Sequence, residues 1–125
     1  MMDRKFLERW LVVLVALHSA VVGVVLLGAP GWAAALGGWG DVDTVFFIRQ
    51  GGAFHIVVAI GYLMEYFRHR TVSLLLTAKT LATVFLVFSW LADLSGAWAL
   101  PFAALGDGLM AVLVFLVHQR AARTS

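Results

Sequence analysis

The chain has 125 residues, 62% hydrophobic and 13% charged, with a formal net charge of +2 and no cysteine. So apolar a composition excludes an ordinary soluble domain and predicts one membrane domain, because four spans of about 21 residues use about 84 positions and leave no room for a soluble catalytic unit. The missing cysteines exclude disulfides, thiolate metal sites, cysteine-held iron–sulfur clusters and thiol catalysis; the cations cluster at the ends of apolar runs, which argues for membrane orientation and against nucleic acid.

The first apolar run covers residues 10–29 without a formal charge, enough for one crossing at 1.5 Å rise per residue. Its basic flank of Arg4, Lys5 and Arg9 resembles a signal-peptide n-region, but the run exceeds the usual 7–15 residues, so an uncleaved anchor is expected. APGWAAALGGWGDVD follows, and its Pro-Gly stop, short apolar piece and Gly-Gly turn predict a half-buried interfacial helix. The second span, 45–66, carries Arg49 near one end, Glu65 near the other, and Gln50 and His55 between. The third, 72–92, is interrupted by Lys79; the fourth, 98–117, has Pro101 in its first turn and Asp107 about halfway. The short links FRHR and DLSGA predict antiparallel neighbours. The expected fold is an all-α integral membrane four-helix bundle, up-down-up-down.

Arg4, Lys5, Arg9, Arg68, Arg70, Arg120 and Arg123 fall on one side and Asp41, Asp43 and Asp93 on the other, so both termini are expected in the cytoplasm and the spans in the cytoplasmic membrane. Trp32, Trp39, Trp90 and Trp98 gather at the opposite level, Trp10 and Tyr66 at the cytoplasmic one, as amphipathic rings prefer. There is no useful internal repeat, P-loop, zinc-protease helix or nucleophile elbow, hence no recognisable catalytic residue or metal site.

An ionisable side chain at mid-membrane costs at least ~2.5–3.5 kcal/mol unless it finds a partner or wet cavity. Helical rise places His18 and Lys79 roughly 12 Å from the cytoplasmic end, Asp107 roughly 16 Å and His55 roughly 18 Å, one per span in a shared layer. On the second span Gly51, His55 and Tyr62 share a face with Ala59 close by, forming a small-residue groove, and Gly51 with Gly52 mark a close helix approach. Lys79 is too deep to snorkel and is expected to pair or lose its charge, Asp107 being the only carboxylate at comparable depth. Arg49 either reaches outer water or turns toward the same carboxylate, and in the second case the excess buried positive charge would be resolved by an anionic ligand, a partner's carboxylate or a neutral Lys79. Glu65 has Arg68 and His69 as local partners at i+3 and i+4. His18 and His55 are also the pair that could hold a b-type haem. His69 and His118 are read as interactions with a helix C-terminus or lipid phosphate.

DTVFFIRQGGAFHIVVAIGY, residues 43–62, resembles the second-helix pattern of small four-helix bacterial membrane proteins of the DoxX-like group, with an Arg shortly before Gly-Gly and a later Gly. Length and layout are similar too. The resemblance reaches Arg49, Gly51 and Gly52 and implies no single activity, although some members are linked to quinone-coupled sulfur oxidation. The functional expectation is a non-catalytic protein that binds a lipid, a quinone or another amphipathic molecule, or packs as an accessory subunit in a homo-oligomer or larger membrane complex. The alternatives are a redox component touching quinone or haem, and a small proton-coupled carrier.

Overall fold

The computed structural model describes residues 3–92 and 96–123, and among these the only regular elements are five helices. They are α1 (Arg4–Gly28), α2 (Pro30–Leu36), α3 (Phe46–His69), α4 (Ser73–Ala92) and α5 (Ala99–Ala122). All but α2 are long and apolar enough to cross a membrane, which makes this a multi-pass membrane protein by helix length and composition. The helices overrun the apolar stretches at their charged ends. At 25 residues α1 is about 37 Å long against a hydrocarbon layer of about 30 Å, so its first turns carry Arg4, Lys5 and Arg9 beyond the apolar zone.

Local chemistry accounts for the helix boundaries. Asp3 caps α1, its carboxylate accepting from the Lys5 amide at 3.2 Å. Ala29 breaks the helix and Pro30, preset for a first helical turn, starts α2. This short helix buries Pro30 and Ala34 while Trp32 and Leu36 remain exposed, as the half-buried expectation requires. Its far end docks on the start of α5: the Trp98 indole donates to the Leu36 carbonyl at 2.7 Å and the Ala99 amide to the Gly37 carbonyl at 3.2 Å. Gly38, at φ +95°, makes that approach, and a Cβ there would press on the backbone of Ala97 and Trp98.

The junction of α3 and α4 departs from expectation. Glu65 is held by neither Arg68 nor His69; its carboxylate accepts from Thr71 Oγ1 at 2.6 Å and from the Ser73 and Leu74 amides at 2.6 and 2.9 Å. It caps the next helix because two orphan N–H groups at a helix start bind a carboxylate better than a solvated side chain does. The turn passes through Arg70 in the left-handed region at φ 55°, which costs a residue with a Cβ roughly 1–2 kcal/mol.

The most extensive packing is α1 on α3 and α4 on α5; the two pairs meet along α1–α5 and more sparsely along α3–α4. Thus the tight turn between α3 and α4 does not produce a tight seam, whereas α1 and α3, separated by α2, make the closest one. The core is narrow: Val12, Val15 and Ala16 of α1 pack with Tyr62, Tyr66, Val72, Leu75 and Val114. The largest apolar side chains point outward, Phe47, Phe85, Phe88 and Phe102 being 68–72% exposed, an arrangement that water would penalise and lipid tails accept. Asp93, placed with the acidic end by sequence, lies with most of the α4–α5 link outside the described residues.

Candidate functional site

Where α1, α4 and α5 meet, Lys79 is 3% exposed and Asp107 8%. The Lys79 ammonium donates to Asp107 Oδ1 at 2.9 Å and to Ser19 Oγ at 3.3 Å, and the phenol of Tyr62 lies against the same serine. All four long helices therefore contribute to one charge-neutral knot. Behind it, Thr83 Oγ1 donates to the Lys79 carbonyl at 2.7 Å, securing one turn of α4 next to the ammonium.

The pairing answers the question of buried charge. Arg49 is exposed and Asp107 is matched by Lys79, so the interior carries no excess cation and the argument for an anionic ligand at this depth falls. His18 is an exposed residue within electrostatic reach of Lys79 and Asp107, and the α1 side chain that hydrogen-bonds in the layer is its neighbour Ser19, which is fully buried. One residue along a helix turns the side chain by 100°, so a depth estimate that ignores azimuth finds the right level and misses the bonding residue.

The face carrying Gly51, His55 and Tyr62 does border a groove. It lies between α3 and α4, encloses about 270 Å³, and has Phe54, Val58, Ala78 and Ala82 as apolar walls above His55, Lys79 and Asp107. Its opening follows from the sparse α3–α4 seam. Gly51 also borders an apolar cavity of about 340 Å³ beneath α2, lined by Leu26, Trp39, Val42 and Phe47 among others, so the two spaces adjoin at that glycine.

Gly51 and Gly52 do not share the role expected of them. A Cβ on Gly51 would meet nothing within 4 Å, whereas one on Gly52 would lie 2.7 Å from the Gly23 carbonyl oxygen, and one on Gly23 2.6 Å from that of Gly52. The α1–α3 crossing is thus a contact of backbones made by Gly23 and Gly52. His55 sits one turn from this crossing, its Cβ 3.2 Å from a Cβ built on Gly23. Among the described residues no group of three or more His, Asp or Glu is placed to hold a metal ion.

Sequence reasoning missed Ser19, Gly23 and Glu8. A signal for all three existed in the helical phase of α1, where Glu8, Val12, Val15, Ala16, Ser19 and Gly23 form one buried stripe at steps of three and four. Glu8, 6% exposed, pairs with His118 Nδ1 at 3.0 Å, so His118 serves α1 rather than a helix end or a lipid. Compared with protein-family models, curated proteins and solved structures, the chain matches none.

Proposed function

We propose that this chain is a non-catalytic protein of the cytoplasmic membrane that holds an amphipathic molecule with a small polar head, lipid or quinone-like, in the groove between α3 and α4. The observation that carries this reading is an apolar opening whose floor gathers His55, Lys79 and Asp107, the pattern of a few convergent polar groups in an apolar pocket. Its 270 Å³ is below the roughly 300–1,000 Å³ of sites that enclose a whole ligand, so it suits a ring or head group, with a tail in the adjoining cavity beneath α2 or along the helices. DoxX-like membership belongs to the proposal. Of the residues behind it, Gly51 borders the groove, Gly52 stands at the α1–α3 crossing and Arg49 is exposed.

Gly51→Leu tests the groove, since the new side chain enters open space and leaves the packing alone. Wild-type protein in mild detergent should retain decylubiquinone or an added phospholipid in native mass spectrometry, and the variant should lose it while unfolding at the same temperature or slightly above. Equal retention by both proteins, or none by the wild type, would overturn the proposal.

In the same proposal the four long helices run up-down-up-down with both termini in the cytoplasm, because the seven flanking cations then lie on the inner side. Single cysteines introduced at Arg123 and Gly96 in this cysteine-free chain should label from opposite faces. Reaction of the Arg123→Cys protein with an impermeant reagent outside intact cells would reverse the orientation.

A further inference from the structure

A further cleft lies where α1 begins and α3 and α5 end, one turn beyond the groove along α3 and sharing no lining residue with it. It encloses about 510 Å³, and its polar wall consists of Lys5, Glu8, Arg9, Tyr66, Arg70 and His118. Glu8 is the only carboxylate in that wall among the described residues. It is already engaged, 3.0 Å from His118 Nδ1 and beside the Tyr66 phenol. With Glu8 set against one of the permanent cations Lys5, Arg9 and Arg70, two positive charges remain facing the cleft even with His118 neutral.

Arg70 is positioned in a way that a merely solvated arginine does not require. It occupies the left-handed backbone region at φ 55°, where glycine or asparagine would be easier, and its guanidinium sits 5.4 Å from the Tyr66 ring centroid and 6.0 Å from that of Phe67. Stacking on two rings fixes the fork, and Tyr66, being only 2% exposed, is itself fixed by the core. A planar donor held still at the rim of a basic cleft suits an oxyanion with several acceptor oxygens.

We infer that this cleft binds a phosphate group, with Arg9 and Arg70 as its principal ligands, Lys5 supplying further charge and the Glu8–His118 pair bracing α1 against α5. The same chemistry is offered by the head group of an anionic phospholipid and by a free phosphate compound. Phe6 and Trp10, edge to face at 6.1 Å and about half exposed on the same turns of α1, are the amphipathic neighbours expected at a head-group level.

The test uses the full chain in phosphatidylcholine nanodiscs, with phosphatidylglycerol doped into the discs in one arm and inorganic phosphate added to the buffer in the other, binding being read from thermal stabilisation. The double variant Arg9→Gln/Arg70→Asn keeps a residue that tolerates the left-handed turn; Arg120→Gln/Arg123→Gln removes the same charge nearby but outside the cleft wall. At about fivefold for each near-surface cation, the first pair should weaken binding roughly 25-fold and the second far less. A response to phosphatidylglycerol alone assigns the site to lipid, and a response to inorganic phosphate assigns it to a free phosphate compound. Equal weakening by the two pairs would reduce the effect to diffuse surface charge, and an unresponsive wild type would remove the site.

Discussion

Asp107→Asn is expected to destabilise the folded protein by about 3–5 kcal/mol, the cost of leaving a buried charge without its partner. Lys79 is 3% exposed and has Ser19 as its remaining hydrogen-bond partner, which accepts one bond and carries no charge. It is also too deep for its stem to reach water. Lys79→Met in the Asp107→Asn background should recover a large part of the loss, because replacing both members of a buried pair by groups of similar volume is often neutral. Arg49→Gln, on an exposed residue, should recover none of it. Unfolding of the four proteins in detergent and in lipid measures the coupling. A stabilising Asp107→Asn would mean that the carboxylate faces lipid instead of the knot.

Enlarging Gly23 or Gly52 should be the other severe change. Each Cβ would fall 2.6–2.7 Å from a carbonyl oxygen of the facing helix, and backbone cannot rotate aside as a side chain can. Overpacking usually costs 1–3 kcal/mol, and Gly52→Leu should reach at least the upper end of that range, since α1 and α3 must separate along the most extensive seam of the molecule. Gly51→Leu is the control. Its side chain enters the groove, and the gain in helix propensity of roughly 0.5–1 kcal/mol makes a neutral or slightly stabilising effect the expected result. Thermal unfolding of the three variants should therefore separate two adjacent glycines by several kcal/mol. Similar losses at Gly51 and Gly52 would contradict the crossing described here.

These two residues show how much of the site was legible in the sequence. A glycine pair in an apolar helix announces close packing or a groove, and here one member serves each purpose. The choice depends on which side of α3 faces α1, and nothing in residues 45–66 states where α1 lies. The polar layer was legible by depth, since rise per residue is a property of any helix. Lys79, Asp107 and His55 were found that way, and Tyr62 by its helical phase on the second span. Ser19 was overlooked because azimuth toward a neighbour is a property of the packed pair.

The sequence by itself determined the number and order of the long helices, because apolar runs of twenty residues bounded by Gly, Pro and charge can satisfy their backbone groups in lipid only as helices. It also determined that Lys79 must pair or lose its charge, since no side chain stem escapes from that depth. Tertiary structure alone decided that Asp107 and Ser19 are the partners of Lys79 while Arg49 is left outside, that Glu65 caps α4 rather than pairing within α3, and that Gly23 and Gly52 touch while Gly51 stays open. The physical reason is the same in each case. Hydrophobicity is nondirectional and sums along the chain, whereas hydrogen bonds, ion pairs and backbone contacts depend on the rotation of one helix against another, which is settled only when the helices pack.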